Sequence, residues 1–302
     1  MQTKINIKSL IKEYKPDFQK QLETLVKGFE ETRLNESIKY SILDGGKRLR
    51  AILALITAEA VRKSKDKIEL PKNPALGLAL AVELVHCGSL IHDDLPCMDD
   101  DDLRRGKASN HKAFDEATAL LAGDFLLCYP IEVLLNKTQD VDSFKLHQVS
   151  VEFTRAIRSM IAGQALDLEL TGKEIHDIEL LKKMQALKTG ALLKSSIRLA
   201  AIIAEANKEQ IEALSFFADN LGLAFQITDD ILDVTGSTKD LGKTAGKDLN
   251  QNKFTFVKEY GLEQAKLIAL KLIEEAKDKI LDIGIYPDKL LTVADYVISR
   301  NN

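Results

Sequence analysis

An all-α fold is the expectation for this chain, and three features carry it. Apolar residues recur every three or four positions almost throughout, as in Leu180, Leu181, Met184 and Leu187, or in Ile211, Leu214, Phe217, Ala218 and Leu221. That spacing gathers them on one stripe of a helix. Strictly alternating runs, which a half-buried strand requires, are scarce. Only six prolines occur, so long helices can run uninterrupted, and several prolines fall where a helix should begin or end. With 302 residues, 45% of them hydrophobic, a buried core is easily built, and one helical domain over 1–302 is the simplest organisation.

Taken in order, Met1 to Lys8 scatters its charges and has no continuous apolar stretch, so it does not read as a secretory signal. Gly45-Gly46-Lys47-Arg48-Leu49-Arg50 sets a flexible pair before three cations. The i, i+3 spacing puts Lys47 and Arg50 on a common helical face, with Arg48 pointing elsewhere. Asn73-Pro74 reads as an N-cap followed by the first helical residue, opening a helix that should stop near Asp94 because Pro96 follows. The longest apolar run, Ala75 to Val85, is broken by Glu83 and falls short of the roughly eighteen residues that mark a bilayer-spanning helix. A cytoplasmic protein with no membrane anchor is therefore expected.

Composition narrows the partners. The formal net charge is −4 and no basic stripe is present, which argues against nucleic acid as a ligand. An anionic substrate would have to be held locally. The three cysteines, Cys87, Cys97 and Cys128, form no CxxC pair and no even framework, which suits a reducing compartment and a role as small apolar fillers.

Two aspartate-rich segments carry the chemistry. Asp93-Asp94-Leu95-Pro96-Cys97-Met98-Asp99-Asp100-Asp101-Asp102 is followed at once by Leu103-Arg104-Arg105-Gly106, and Asp229-Asp230-Ile231-Leu232-Asp233 lies far downstream. Crowded carboxylates repel one another unless a cation neutralises them, and hard oxygen ligands suit Mg²⁺ shared with substrate phosphates. The arginine pair adds planar forks for phosphate oxygens. Asp93 and Asp94 should end one helix, with Asp99 just beyond the turn imposed by Pro96. Asp229 and Asp233 are i and i+4 on a second helix, with Gln226 one turn earlier on the same side. An acidic run is commonly a solvated surface, but the second interrupts an apolar helix, Leu221 to Val234, where unpaired carboxylates would be costly. Two carboxylate ledges across a cleft, with metal and diphosphate between them, is the resulting picture. Lys188-Thr189-Gly190, Lys243 within Gly242 to Lys247, and Lys253 offer further phosphate contacts, and His86, two turns before Asp93, is either a satisfied core histidine or a donor to a second phosphate.

These segments, together with Ser89-Leu90-Ile91-His92 before Asp93, Gly163-Gln164-Ala165-Leu166-Asp167-Leu168-Glu169 and Gly222-Leu223-Ala224-Phe225 before Gln226, resemble those of the trans-isoprenyl diphosphate synthases, most closely the bacterial farnesyl and geranylgeranyl enzymes. The resemblance runs from about Lys39 to Ile298; Ala51 stands where proline is common in the family. It implies an isoprenoid synthase bundle of antiparallel helices around a deep central cavity, a homodimer, and three Mg²⁺ ions. Asp93 and Asp99 would bind two of these and Asp229 the third, with Asp94 and Asp233 in support. Arg104, Lys188, Thr189, Gln226, Lys243 and Lys253 would hold the allylic diphosphate, and Lys47, Arg50, His86 and Arg105 the isopentenyl diphosphate. Catalysis would rest on Asp93, Asp99, Asp229, Lys188 and Arg104. The implied reaction is loss of diphosphate from the allylic substrate, attack of the isopentenyl double bond on the cation, and proton loss to the departed diphosphate. A class I terpene cyclase, or a non-catalytic subunit of a heteromeric prenyl synthase, are the alternatives; both fit poorly with two complete aspartate segments and the Lys47/Arg50 cluster.

Product length is read from small residues before Asp93. In the farnesyl enzymes a large aromatic stands five positions before the first aspartate, where this chain has Gly88, followed by Ser89, with Leu84 a turn lower as a next barrier. A C20 product is expected over C15, and Gly88→Tyr is expected to shorten it. Alternatively Gly88 serves close helix packing, and a neighbouring helix around Phe114 or Leu120 supplies the floor.

Overall fold

The computed structural model describes residues 6–138, 140–173, 177–235 and 254–299. It opens with α1 (Ile7–Val26), α2 (Arg33–Leu43), α3 (Leu49–Val61) and α4 (Leu76–Asp93). After a two-stranded hairpin, β1 (Leu103–Arg104) and β2 (Lys107–Ala108), come α5 (Asn110–Ala113), α6 (Glu116–Lys137) and α7 (Ser143–Leu170). Helix α8 (Ile178–Gln185) runs through a π-turn, Ala186–Gly190, into α9 (Ala191–Ile203) and then α10 (Lys208–Thr235). Helices α11 (Phe256–Tyr260), α12 (Leu262–Leu281) and α13 (Asp288–Ser299) complete the described residues. The all-α expectation holds, and the periodic segments at 180–187 and 211–221 are α8 with its π-turn and the first half of α10.

Burial follows the apolar pattern. In α3 every residue from Ala51 to Ala60 is buried, as is every residue of α4 from Leu76 to Val85. Helices apolar all round belong at the centre of a bundle. Neighbouring helices close around them, α6 against α4 and α9 against α3. Side-chain caps mark the entries: Asp115 accepts from Thr118 N at 2.7 Å, and Asp142 and Asp177 each accept from two backbone amides. Asn73 behaves differently from the expectation. Its Oδ1 accepts from Ala75 N at 3.0 Å and its amide donates to Leu55 O at 3.3 Å. It thus closes a turn and ties it to α3, and the helix begins at Leu76 instead of Pro74.

Two buried charge clusters clamp the bundle. Arg48, in the left-handed region at φ 56, donates to Glu83 Oε1 at 2.7 Å and to Ile42 O at 2.5 Å. Glu83, the residue that interrupts the apolar run of α4, is therefore a paired interior acid; removing either partner would cost roughly 3–5 kcal/mol. Glu59 is fully buried and accepts from Lys289 Nζ at 2.7 Å and from the Tyr14 hydroxyl. It joins α1, α3 and α13.

The expectation that no stretch is long and apolar enough to span a bilayer does not hold. By length and composition α4 and α6 are both long and apolar enough to cross a bilayer. Counting unbroken apolar runs missed this because Glu83 and His86 interrupt α4, whose polar groups are met inside the protein.

The cysteines divide. Cys87 is buried, whereas Cys97 and Cys128 are exposed, so the filler role fits only the first. Burial, reinforced by the charge of Glu83, pushes the Cys87 thiol up to about 11. Maleimide at pH 7.5 should label two thiols of the native protein and the third only after unfolding, because the thiolate is the reactive form. Intact-mass measurement checks this, and rapid labelling of Cys87 would contradict the burial.

Candidate active site

The end of α4 builds the first carboxylate ledge. Beyond Asp93 the chain folds back, with Asp99 N donating to Asp93 O at 2.8 Å and Asp100 N to Leu95 O at 3.1 Å. The hairpin follows. Its turn is made by Arg105 at φ 54 and Gly106 at φ 82, the paired positive values of a tight two-residue hairpin, and this turn sends Arg104 and Arg105 to different partners. Arg104 donates through Nε to Asp94 Oδ1 at 3.0 Å and pairs through Nη2 with the same carboxylate. Arg105 Nη1 donates to Asp44 O at 2.6 Å.

Gly46 completes this corner. A Cβ there would stand 2.9 Å from Arg105 Cζ, so the glycine lets the guanidinium lie against the backbone at φ 82. The pair Gly45-Gly46 is a seat as well as a flexible joint. Lys47 precedes α3 and so shares no helical face with Arg50. Both nevertheless reach one cavity, Lys47 donating to the Tyr296 hydroxyl of α13 at 2.5 Å.

That cavity is the large feature of the molecule, about 850 Å³. Lys47, Arg50, His86 and Arg105 line it; α4 contributes Ser89 and Asp93, α10 contributes Gln226 and Asp229, and Arg104, Lys188 and Thr189 stand on it too. Leu127, Met160, Ile161, Leu168, Leu192 and Phe225 give it an apolar stretch of wall, and His92 and Gln164 line it as well. Arg50 Nη1 lies 3.5 Å from His86 Nε2. Burial, then the charge of Arg50, hold His86 well below the usual histidine value. It is neutral at physiological pH.

Lys188 belongs to the π-turn, whose backbone presses on α7 at Gly163; a Cβ there would stand 2.2 Å from Lys188 N. A π-turn inside a helix commonly marks a functional position. Its ammonium donates to Asp167 Oδ2 at 2.5 Å. Asp167, from the 163–169 segment, had no role assigned from sequence.

Several expected residues stand elsewhere. Asp94 is buried, its carboxylate taken by Arg104, and it lines a separate small pocket with Asp44 and Arg105. Asp99 and Asp233 are not among the residues lining the large cavity. Asp230 Oδ2 accepts from Phe256 N at 3.0 Å, tying α10 to α11. Lys243 and Lys253 lie outside the described residues. Among the described residues, the trio of donor atoms within 4.8 Å of one another is Asp100, Asp102 and His111, and Asp102 there already pairs with Lys112 Nζ at 2.9 Å.

A cation nevertheless fits the ledge. Burial, opposed by Lys188 but reinforced by the charge of Asp99, pushes the Asp93 carboxyl up to about 6. An acid held this high is under-compensated, and hard oxygen donors in that state suit a divalent hard cation.

The length-control expectation is overturned at Gly88. A Cβ there would stand 2.9 Å from Leu126 Cβ and 3.2 Å from Gly123 O, so the position faces α6 and its smallness serves close helix packing. The neighbour is Leu126 with Gly123, one or two turns from the Phe114–Leu120 region named from sequence. Leu84 is fully buried in the core and is likewise absent from the cavity wall. Ser89 is on it. Gly88→Tyr should therefore destabilise the fold, whereas Ser89→Phe should shorten the product by about one isoprene unit, the ring filling roughly one 5.4 Å turn. Mass spectrometry of the products against thermal denaturation of both variants separates the two effects.

A helical bundle with a large cavity lined by cations, aspartates and apolar side chains suits a transferase of prenyl groups from diphosphate esters. The polyprenyl synthetase family model matches residues 31–283, and the chain belongs to that family. A protein of Arabidopsis thaliana named heterodimeric geranylgeranyl pyrophosphate synthase large subunit 1, chloroplastic, is 43% identical over 292 residues, covering 94% of this chain and 76% of that one. The farnesyl diphosphate synthase of Micrococcus luteus is 42% identical over 272 residues, 90% of each chain. The crystal structure of a geranyltransferase from Legionella pneumophila matches with a TM-score of 0.83 at 32% identity, over 98% of this chain and 97% of that one.

Proposed function

We propose that this chain joins isopentenyl diphosphate to allylic diphosphates (dimethylallyl, geranyl, and farnesyl) and releases a C15 or C20 prenyl diphosphate. One observation carries the reading: a single cavity is lined by five cationic side chains, by the two aspartates Asp93 and Asp229, and by a set of apolar ones. Diphosphates require the first two and a growing hydrocarbon the third.

Asp93, Asp99 and Asp229 would hold Mg²⁺ ions, with Asp233 in support, and the metal supplies charge neutralisation for a departing diphosphate. Arg104, Lys188, Thr189 and Gln226 orient the allylic diphosphate, Lys188 exchanging Asp167 for a phosphate oxygen. Lys47, Arg50, His86 and Arg105 hold isopentenyl diphosphate, His86 as a neutral imidazole that can donate through one ring nitrogen. The allylic C–O bond breaks, its electrons leaving with diphosphate. The isopentenyl double bond closes the new C–C bond, and the proton is lost to the departed diphosphate. The apolar wall keeps water from the cation.

The C20 product is the form we favour, supported by the small Ser89 on the cavity wall and by the geranylgeranyl names of many relatives. A cytoplasmic homodimer is proposed as well. Exposed Leu121 and Phe144 suit an interface, and sedimentation of the purified chain tests it.

Incubation with dimethylallyl and isopentenyl diphosphates and Mg²⁺ should yield a C15 or C20 diphosphate by mass spectrometry. A hydrocarbon formed from farnesyl diphosphate alone would point to a cyclase instead. Within the synthase, Lys47→Ala and Arg105→Ala should raise KM for isopentenyl diphosphate more than KM for the allylic substrate. The opposite ranking in steady-state kinetics would mean that the two pockets are exchanged.

A further inference from the structure

Gln164 presents a chemical demand that nothing around it meets. It stands on the wall of the large cavity, one helical turn before Asp167 on α7, so the two share a face toward the π-turn. Both atoms of its side-chain amide, Oε1 and Nε2, are buried and have no hydrogen-bond partner among the described residues. Lys188, whose backbone presses on the neighbouring Gly163, is engaged by Asp167 at 2.5 Å. Buried polar groups are nearly always satisfied, and one left unsatisfied at a cavity wall points to a bound polar group there, whether water, ion or substrate.

The amide specifies that ligand. It needs an acceptor for Nε2–H and a donor for Oε1 together. A hydrocarbon tail offers neither. A bare diphosphate near neutral pH offers acceptors alone. A diphosphate carrying a hydrated cation offers phosphate oxygens as acceptors and metal-bound waters as donors, and Mg²⁺ characteristically keeps several waters when it binds through phosphates.

Resting on the function proposed above, we infer that Gln164 is a ligand-contacting residue that reads the hydrated metal–diphosphate unit, its Nε2–H donating to a phosphate oxygen and its Oε1 accepting from a metal-bound water. It follows Gly163, on which the backbone of Lys188 presses, so the phosphate it meets is that of the allylic substrate. Asp167 is its companion, balancing Lys188 until the diphosphate arrives.

Calorimetric titration with inorganic pyrophosphate and MgCl₂ tests this in the full chain, with wild type, Gln164→Leu and Gln164→Glu compared. Gln164→Leu should bind magnesium pyrophosphate at least about tenfold more weakly, the loss expected for one buried polar contact. Without ligand its Tm should match or exceed that of wild type, because an apolar isostere removes an unsatisfied pair. Gln164→Glu keeps the acceptor and loses the donor, and should bind more weakly than wild type. In kinetics the allylic KM should rise while that for isopentenyl diphosphate stays. Unchanged pyrophosphate affinity in Gln164→Leu overturns the inference while leaving the synthase reading intact, as does a lowered ligand-free Tm with wild-type affinity, which would make the amide structural. If wild type itself neither binds magnesium pyrophosphate nor forms a prenyl product, both readings fall.

Discussion

Asp93→Ala and Asp229→Ala are each expected to reduce turnover by about three or more powers of ten, since a metal ligand supplies several kcal/mol of charge stabilisation and each 1.36 kcal/mol is tenfold. The fold should survive both. Asp93 is an under-compensated acid at the end of α4, and its replacement removes a carboxyl that burial pushes up to about 6. The sign of its pH effect follows. An acid whose folded value is raised contributes stability that is fully present below its ordinary value of 3.8 and is lost as pH rises through about 6. Ligand-free wild type should thus lose Tm across that interval, Asp93→Ala should lose less, and added Mg²⁺ should restore wild type alone. Below about pH 6 a proton competes with the cation, so the Mg²⁺ concentration for half-activation should climb. Near-normal turnover of either alanine variant would remove that aspartate from the metal ledge.

Gly163→Ala should be severely damaging for a single added methyl group. The added Cβ would stand 2.2 Å from Lys188 N, 2.6 Å from Lys188 Cα and 2.7 Å from Leu187 C. All three are backbone atoms, so no side-chain rotation relieves the clash. Helix α7 and the π-turn must separate, at a cost of about 1–3 kcal/mol for overpacking. The chemical consequence is larger than the thermodynamic one. Lys188 and Thr189 ride on that turn, and a displacement near 1 Å can cost about a hundredfold in rate. Thermal denaturation should show a folded protein with lowered Tm, and kinetics a loss concentrated in turnover of the allylic substrate. Wild-type rates would show that the contact between α7 and the π-turn does not position Lys188.

The helices and the acidic ledges were legible in the sequence because they are written in local spacing. Periodicity places α8 and α10, and Pro96 marks the end of α4. The i, i+4 relation of Asp229 and Asp233 likewise follows from helical pitch, although only Asp229 stands on the cavity wall. What stayed hidden was set by the approach of segments distant in the chain. Nothing local says that Glu83 meets Arg48, that Gly46 seats Arg105, or that Gly88 faces Leu126 instead of the cavity. The tight hairpin at Arg105-Gly106 and the π-turn at Lys188 are single turns, too short to leave a period. Asp94 is the instructive error: adjacent carboxylates read alike in a motif, yet successive residues at a helix end point apart, and one was claimed by Arg104.

Glu59 has a consequence for how the protein is made. Its partners Tyr14 and Lys289 come from the first and the last helices of the described chain, and Tyr296, which meets Lys47 at the cavity, follows shortly after Lys289. During synthesis the acid is committed to the interior of α3 long before its cation is translated. A nascent chain can therefore assemble α1 to α10 as a hydrophobic body while this carboxyl and Lys47 still await α13. Emergence of α13 from the ribosome brings Lys289 to Glu59 and Tyr296 to Lys47 together, so a nascent chain short of α13 should carry most of the bundle and none of the activity.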